Sequence, residues 1–395
     1  MPDKNKTGKY KIDTELGIAG HDLKNNHGAL NPPVYHASTF AFPTVEELDA
    51  ANLKKFDTFS YGLYGTPTSY ALEDGLRKLE NANHAIIVGS GLGSIAVTLA
   101  GLLKSGDHLL VSESAYHPTI KFCKNFLNKF GVETTYYDPM IGSNIKKIMR
   151  PETKVVFTEA PGSITFEVQD IPAIAKVAHD AGALVVMDNT WSAGYYYKPF
   201  DFGVDVSVQA ITKYIGGHSD LFMGSITMRE RALYDKIKLA ASSFGHSPQP
   251  DDCYLALRGL RTLAARIKQH GETGLALAKW LAARPEIEAV IHPAFENCPG
   301  HEIWKRDFSG SCGLFGVVLK DSYSETDRNR MMAGLKLFPI GYSWGGYESL
   351  VVHDNPYQSR KTYNFPYKGP YMRIHAGLED PDDLIKDLEH GLGLL

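Results

Sequence analysis

The 395-residue sequence predicts an α/β fold, in which helices flank a mostly parallel sheet, followed by a smaller α+β domain. Between about residues 61 and 251, short apolar runs alternate with helix-like segments, which is typical of βα units around a parallel sheet. After about Asp251 the pattern changes to one long helical segment and then to the β-rich run SGSCGLFGVVLK. We therefore expect an N-terminal arm over 1–60, a sheet domain over 61–251 and a C-terminal domain over 252–395.

Each part rests on a local pattern. The first 60 residues show weak periodicity and the proline-rich stretch NPPVYHASTF, which favours an extended arm. The predicted strands are AIIV, HLLVSE, VETTYYD, KVVFTEAP, ALVVMDNT and VDVSVQAITKY. The predicted helices are TSYALEDGLRKLEN, IAVTLAGLLKSG, PTIKFCKNFLNKFG and IPAIAKVAHDAG, and several of them end in glycine, as a C-terminal cap requires.

The charge and cysteine content exclude several classes of protein. With 41 Lys and Arg against 45 Asp and Glu, the net charge of -4 does not suit a dedicated nucleic-acid binder. The four cysteines form no C-x-x-C pair, and no apolar secretory signal opens the chain, so a cytoplasmic location is expected. The histidines show no H-E-x-x-H spacing, and we predict no metal site.

One uncharged stretch, Ala85 to Leu103, approaches the length of about 20 residues that spans a bilayer. Glycines and hydroxyl residues interrupt it, and its β-branched start is followed by a glycine-rich turn. We interpret it as a strand, a loop and a buried helix, and predict no membrane association.

Four features lie where ligands bind in open parallel sheets, beyond the carboxyl ends of the strands. The segment GLGS, beginning at Gly91, opens a helix and could hold a phosphate. Asp188 and Lys213 each end a predicted strand, and Arg373 lies near the end of the chain. Each has an ordinary structural explanation alone. Together they supply a phosphate cradle, a carboxylate, a Schiff-base amine and a guanidinium, which pyridoxal phosphate (PLP) chemistry requires.

A second interpretation competes for the same glycines. GLGSIA matches the G-x-G-x-x-A dinucleotide fingerprint after a strand, and Glu113 follows at the end of the next strand. A nicotinamide-dependent oxidoreductase would explain Gly91 and Glu113, but it would leave Asp188 and Lys213 without roles.

Ordered motifs along nearly the whole chain resemble the Cys/Met-metabolism family of PLP-dependent enzymes, and within it the cystathionine β-lyases. The segments that carry the resemblance are YGLYGTPT, GSGLGSIAV, SESAYHPT, DPMIGSNI, EAPGSITFEVQDIPAIA, MDNTWSAGYYYKP, DFGVDVSVQAITKYIGGHSDLFMG, LRGLRTLAARIKQH, GHEIWKRDFSGSCGLF and YSWGGYESL. The resemblance implies the fold of PLP-dependent transferases, fold type I, with residues 61–251 as the PLP-binding domain.

The resemblance also implies site residues. Lys213 would bind the cofactor covalently and move the α-proton, and Asp188 would pair with the pyridine nitrogen. The other expected cofactor residues are Tyr116 against the ring, Gly91, Leu92 and Thr212 at the phosphate, and Tyr61 from a neighbouring subunit.

The substrate and partners follow from the same resemblance. Arg373 would bind the α-carboxylate of an amino-acid substrate, with Ser343 and Trp344 beside it. A site shared between subunits implies a homo-oligomer, expected to be a tetramer of active-site-sharing dimers.

Two positions depart from the family pattern at the phosphate. Leu63 stands where relatives usually carry an arginine, and Ala210 stands where many carry a serine or threonine. Both changes remove a hydrogen-bond donor, so weaker cofactor binding is expected unless another group compensates. Tyr64 is the candidate donor, although it lacks the charge of an arginine.

The implied reaction is β-elimination of L-cystathionine to homocysteine, pyruvate and ammonia. A γ-acting family member, such as a cystathionine γ-lyase or methionine γ-lyase, remains the alternative within the family because it would use the same Lys213, Asp188 and Arg373.

Overall fold

The structure, a computed structural model, describes residues 10–356, 360, 362 and 365–395. Its strands are β1 (His84–Val88), β2 (His108–Ser112), β3 (Glu133–Tyr137), β4 (Thr153–Glu159), β5 (Leu184–Asp188), β6 (Val206–Ala210), β7 (Gly224–Met228), β8 (Ile287–Ile291), β9 (Leu314–Leu319), β10 (Leu350–Asp354) and β11 (Tyr371–His375). Its α-helices are α1 (Ile12–Gly17), α2 (Val45–Leu53), α3 (Pro67–Glu80), α4 (Gly91–Leu102), α5 (His117–Asn125), α6 (Ile171–Asp180), α7 (Arg231–Ser243), α8 (Pro250–Ala282), α9 (His301–Asp307), α10 (Glu325–Gly334) and α11 (Pro381–Leu392).

The first sheet has seven strands in the order β1-β7-β6-β5-β4-β2-β3. Strands β6, β5, β4, β2 and β3 pair in parallel, whereas β7 runs antiparallel between β1 and β6. The expected mostly parallel sheet flanked by helices is therefore confirmed. Strand β7 was not predicted, because its short run GSITM follows the Lys213 segment closely and shows no alternation that marks an antiparallel strand.

Both faces of this sheet are buried, as they are in helix-covered parallel sheets. In β1, Ala85 and Ile87 belong to one hydrophobic cluster, and Ile86 and Val88 belong to another. Helices α3, α6 and α8 contribute to the first cluster, and α4, α5 and α7 contribute to the second. The sheet thus holds the ends of its strands in fixed positions, which is what a site at those ends needs.

The expected extended arm contains two helices. Leu16 of α1 and the nearby Ala19 are fully buried, and α1 packs against α3 and α8. The short α2 is mostly exposed, and the hydroxyl of Thr44 caps it by accepting from the Glu47 N–H. The extended interpretation was therefore wrong for α1, because burial of its few apolar side chains against two long helices outweighs the weak periodicity.

The second sheet has four antiparallel strands in the order β10-β11-β9-β8. One of its faces packs against α8 and α11 in a hydrophobic cluster, and Met372 and Ile374 of β11 point into that cluster. Because side chains alternate along a strand, Arg373 and His375 lie on the opposite face. The 33-residue helix α8 begins at Pro250 and also packs against α1 and α3 of the N-terminal part. The domain boundaries at 60 and 251 stay predictions.

The uncharged stretch from Ala85 to Leu103 forms β1, a turn and α4. No helix among the described residues is long and apolar enough to cross a membrane.

Candidate active site

The start of α4 supplies the first part of the site. The Ser90 hydroxyl caps this helix by accepting from the Gly93 N–H at 2.9 Å, and the N–H groups of the first helical turn have no acceptor within the helix. The N–H groups of Gly91 and Leu92 can therefore serve an anion, which the helix dipole also favours. A Cβ atom on Gly91 would lie 2.6 Å from Ala210 Cβ, so only glycine lets β6 come this close.

Thr212 is engaged elsewhere. Its hydroxyl donates to the Met223 carbonyl at 3.1 Å and accepts from the Met223 N–H at 3.1 Å. The hydroxyl proton would have to leave Met223 before it could be donated to a phosphate. The structure thus places Thr212 beside the cradle, but its hydroxyl here joins the two ends of the loop that carries Lys213.

Asp188 ends β5, as the sequence predicts. Its carboxylate accepts from the Thr190 N–H at 3.0 Å and from the Thr190 hydroxyl at 2.5 Å. Burial raises the pKa of Asp188, while the two Thr190 bonds and the charge of Lys213 lower it. A cation placed against this carboxylate, such as a protonated pyridine nitrogen, would favour its ionised form further.

Tyr116 lies at the start of α5, and the residue is 44% exposed. Its N–H donates to Glu159 Oε2 at 2.6 Å, and Glu159 is the direct neighbour of Asp188 across strands β4 and β5. Burial and then the charges of Asp188 and Glu159 raise the pKa of the Tyr116 phenol, so it stays neutral at physiological pH. Glu159 therefore fixes the backbone that presents the Tyr116 ring.

Lys213 lies in the turn after β6, three residues beyond the end of that strand. Its Nζ donates to Ser343 Oγ at 2.6 Å and lies 5.2 Å from the centre of the Trp344 ring. Burial and the charge of Arg373 lower the pKa of Lys213 to about 8, although Asp188 acts in the opposite sense. An amine in this environment can be a nucleophile or a base near neutral pH.

Ser343 joins Lys213 to Arg373. While its hydroxyl accepts from Lys213, its carbonyl accepts from Arg373 Nη2 at 3.2 Å. Arg373 stands in the middle of β11, and burial lowers the pKa of its guanidinium from the ordinary value. The structure thus brings four predicted residues together, namely Lys213, Ser343, Trp344 and Arg373.

Tyr61 and Leu63 lie on a different segment. Tyr61 is about half exposed, pairs with Thr39 in an isolated β-bridge and makes an edge contact with the Tyr64 ring at 6.0 Å. Among the described residues of this one chain, the contacts of Tyr61 do not reach Lys213, Asp188 or Arg373. The predicted role of Tyr61 therefore depends on a second chain.

The dinucleotide fingerprint does not hold. Its strand, β1, lies at the edge of the sheet beside the antiparallel β7, whereas a dinucleotide fold places this strand at the centre of a parallel sheet. Glu113, the expected ribose ligand, accepts from both the N–H and the hydroxyl of Thr362 at 2.6 Å. The nicotinamide interpretation was wrong because a short glycine motif carries no information about strand order.

Three residues that hold the site together were missed. Ser90 caps the helix at the cradle, Thr190 binds the Asp188 carboxylate, and Glu159 binds the Tyr116 backbone. A signal existed for each: Ser90 and Thr190 are hydroxyl residues just after strands, and Glu159 ends β4 beside Asp188. Inspection of every polar residue at the carboxyl ends of the strands would have found them.

The residues present fit PLP on structural grounds, since the N–H groups of α4, the Asp188 carboxylate and the buried Lys213 amine match its phosphate, ring nitrogen and aldehyde. The family model for Cys/Met metabolism PLP-dependent enzymes matches residues 13–393. The chain belongs to this family. It is 40% identical over 387 residues to cystathionine beta-lyase MetC of Escherichia coli, covering 96% of this chain and 98% of that protein.

Other relatives of the family carry different names. An L-alanine/L-glutamate racemase of Wolbachia pipientis is 40% identical over 396 residues, and the match covers 98% of each chain. A cystathionine gamma-lyase of Dictyostelium discoideum is 33% identical over 390 residues, and the match covers 97% of this chain and 98% of that protein. Among solved structures, metB from Corynebacterium glutamicum matches with a TM-score of 0.90 at 30% identity, covering 99% of both chains. The protein is thus a PLP-dependent enzyme with the fold of this family.

Within the described parts of the chain, no group of three or more His, Cys, Asp or Glu side chains could hold a metal ion. The four cysteines, Cys123, Cys253, Cys298 and Cys312, are buried and unpaired.

Proposed function

We propose that this protein is a carbon–sulfur lyase that converts L-cystathionine to homocysteine, pyruvate and ammonia by β-elimination. The observation that carries the proposal is the 40% identity, over nearly the full length, to a cystathionine beta-lyase, compared with 33% to a cystathionine gamma-lyase. The racemase is also 40% identical, so the products of the reaction separate a lyase from a racemase. The grouping of an amine, a hydroxyl and a guanidinium around Ser343 supports it, because an amino-acid substrate offers an α-proton and a carboxylate close together.

The cofactor would be held at its phosphate, at its ring nitrogen and at its ring face. The N–H groups of Gly91 and Leu92 would bind the phosphate, Asp188 would pair with the ring nitrogen, and the Tyr116 ring would lie against the cofactor ring. When bound, PLP supplies an electron sink that stabilises the carbanion formed at the substrate Cα. Thr190 keeps the Asp188 carboxylate oriented through its two hydrogen bonds.

Lys213 would carry the proton. With a pKa of about 8, roughly a tenth of the free amines are neutral at pH 7, and only the neutral form can accept the α-proton. The hydrogen bond to Ser343 Oγ orients Nζ, and the nearby Trp344 ring excludes water from one side of the amine. After the thiolate leaves, the protonated amine is the group positioned to return a proton.

Arg373 would bind the substrate α-carboxylate. A guanidinium offers two parallel donors to a carboxylate, and this fixes the Cα–H bond relative to Lys213. One donor of Arg373 is already used by the Ser343 carbonyl, so the arginine and the lysine share a common support. The turn at Ser343 would therefore set the position of both the substrate carboxylate and the Lys213 amine.

The protein would form a homo-oligomer, expected to be a tetramer built from dimers that share their active sites. In such a dimer, Tyr61 of one chain would reach the cofactor of the other chain. Several large apolar side chains of the N-terminal segment are exposed in the single chain, which supports burial against a second copy: Leu23, Leu30, Tyr35, Val45, Leu48 and Leu53. A cytoplasmic location is supported by the four unpaired cysteines.

Mixing two inactive variants tests the shared site. Lys213→Ala and Tyr61→Ala subunits are each expected to be inactive alone. After dissociation and random reassembly, about a quarter of all sites in dimers would contain both intact residues, so activity should return. If the mixture stays inactive while mixed oligomers are detected, Tyr61 does not act across subunits.

Product analysis tests the reaction itself. With PLP in the buffer, cystathionine should yield pyruvate and homocysteine. If 2-oxobutyrate and cysteine form instead, the enzyme is γ-acting, and if L-alanine is converted to D-alanine without any keto acid from cystathionine, the racemase function applies. The purified protein should also be yellow and should bleach with hydroxylamine.

A further inference from the structure

Two buried histidines lie next to the turn that carries Lys213. His270 belongs to α8 and His375 to β11, and the centres of their rings are 5.2 Å apart. Both rings contact the ring of Tyr214, with centre-to-centre distances of 5.1 Å and 5.8 Å. Neither histidine has a role in the reaction described above.

The neighbours of each ring nitrogen indicate where the proton of each ring resides. His270 Nδ1 lies 2.9 Å from the Ala376 carbonyl, which can only accept, so Nδ1 of His270 carries a proton. His375 Nε2 lies 3.0 Å from the Gly345 N–H, which can only donate, and 3.2 Å from the Gly346 carbonyl, which can only accept. The shorter contact is the one with the donor, so we assign the proton of neutral His375 to Nδ1. Burial lowers the pKa of His270 to about 4 and that of His375 well below its ordinary value, and both rings are therefore neutral near pH 7.

This leaves two complementary atoms. The Nδ1–H group of His375 is a donor and Nε2 of His270 is an acceptor, and neither has a hydrogen-bond partner among the residues that the structure describes. Both atoms are buried in adjacent rings, where an unpaired polar group is costly. A hydrogen bond between them, direct after a small ring rotation or through one water, would satisfy both.

The Gly345 N–H that His375 holds belongs to the turn of Ser343, Trp344 and Gly345. Ser343 and Gly345 have φ values of 83° and 86°, a region that a serine rarely occupies. A Cβ on Gly345 would lie 2.7 Å from the Tyr214 nitrogen and 2.9 Å from the Lys213 carbonyl carbon, so the turn packs directly on the Lys213 backbone. This strained turn needs support from its surroundings.

We propose that His375, as the Nδ1–H tautomer and hydrogen-bonded through that proton to His270, is a positioning residue that holds the Ser343 turn against both Lys213 and Arg373. The proposal rests on the roles proposed for Lys213 and Arg373. His375 touches neither the substrate nor the cofactor in this scheme. It acts through the Gly345 N–H, and the Ser343 hydroxyl and carbonyl deliver the effect to the two charged side chains.

Two substitutions at His375 separate its acceptor from its bulk. In His375→Gln the side-chain oxygen can still accept from Gly345, whereas His375→Leu cannot accept. His292→Leu is the matched control, because His292 is also fully buried and also accepts a backbone N–H, from Ala294 at 3.0 Å. The His292 ring contacts Phe315, which pairs with Ile374 and so lies on the other face of the C-terminal sheet.

The first measurement is the dissociation constant of L-alanine, read from the absorbance of the holoenzyme. L-Alanine has the amine and the carboxylate but no group to eliminate, so this measurement does not depend on the proposed reaction. His375→Leu should weaken alanine binding and lower kcat/KM by about 10-fold or more, His375→Gln should stay within about 3-fold of the wild type, and His292→Leu should change neither. Melting temperatures show whether each variant folds.

A double-mutant cycle with Ser343→Ala gives the decisive comparison. Ser343→Ala removes the hydroxyl that Lys213 contacts but keeps the carbonyl that Arg373 contacts. If His375 acts through the turn, the double variant should therefore lose clearly less alanine binding than the product of the two single losses. His270→Leu should also weaken alanine binding. Combined with His375→Leu, it should weaken alanine binding by less than the product of the two single effects. The positioning role is overturned if the His375→Leu and Ser343→Ala effects multiply, or if His375→Leu binds alanine as the wild type does. The link to His270 is overturned if His270→Leu behaves as His292→Leu does.

Absence of keto acid from cystathionine in the wild-type enzyme would refute the proposed function and leave the alanine-binding cycle to decide on His375.

Discussion

Replacing Ala210 with serine is expected to tighten PLP binding. The Ala210 Cβ lies against the backbone of Gly91, whose N–H is one of the two proposed phosphate donors, and no side chain of Gly91 separates them. A hydroxyl on this Cβ would therefore enter the phosphate cradle. The side chains of Leu63, Ala210 and Thr212 supply no such donor to the cradle, because the first two carry none and the Thr212 proton is donated to Met223.

The size of the effect follows from the charge of the phosphate. A hydrogen bond to a charged group contributes about 1.5–3 kcal/mol, and each 1.4 kcal/mol changes a dissociation constant about tenfold. Part of this gain is offset because the new hydroxyl gives up its hydrogen bonds to water and its free rotation. We expect the dissociation constant of PLP to fall by about tenfold in Ala210→Ser.

The assay is equilibrium dialysis of the apoenzyme against a PLP series, with the bound cofactor read by absorbance. Ala210→Cys is the matched control, because a thiol has a similar size to a hydroxyl but is a weak donor. Cysteine should leave the dissociation constant within about twofold of the wild type. An unchanged constant in Ala210→Ser, with an unchanged melting temperature, would refute the assignment of the cradle to this end of β6.

Further predictions concern the same site. Leu63→Arg should slow the loss of PLP during dialysis of the assembled oligomer, and an unchanged rate would show that another group already satisfies the phosphate. Lys213→Ala should abolish turnover while PLP still binds without a covalent bond, and retained wild-type turnover would remove the lysine from its role. The rate of covalent PLP attachment to the apoenzyme should rise with pH and level off above about pH 8. Burial lowers the pKa of Lys213, and only the neutral amine attacks the cofactor. A rate that stays constant between pH 6 and 9 would contradict this prediction. Gly345→Ala should lower both melting temperature and turnover, because its Cβ would meet the Tyr214 nitrogen at 2.7 Å.

Much of the sheet could be predicted because its signals are local. Runs such as ALVVMD are apolar over the length of a strand and end in a polar residue, and this placed Asp188 correctly at the end of β5. The same pattern located Gly91 at the start of α4. Because neighbouring parallel strands end at the same edge of the sheet, residues that follow predicted strands are expected to lie close together there.

The support of the site could not be predicted in the same way. Ser343 lies 130 residues after Lys213, and the contact between them depends on how the C-terminal sheet packs against the first sheet. The left-handed φ of Ser343 has no local signal, because serine is not a residue that favours this region. Likewise, the α1 helix has only six residues and is stabilised by its contacts with α3 and α8.

The proposed catalytic groups and the phosphate cradle differ in how many of the expected residues are present. The groups proposed for the chemistry, Lys213, Asp188 and Arg373, are all in place, whereas Leu63 and Ala210 remove donors from the phosphate cradle. If the backbone N–H groups of α4 carry most of the phosphate binding, saturation with cofactor will require a higher free PLP concentration than in a protein that carries both donors. Activity measured after gel filtration would then understate the catalytic capacity of the protein. The ratio of activity with and without added PLP separates a weak cradle from a weak catalyst, because added cofactor restores only the former.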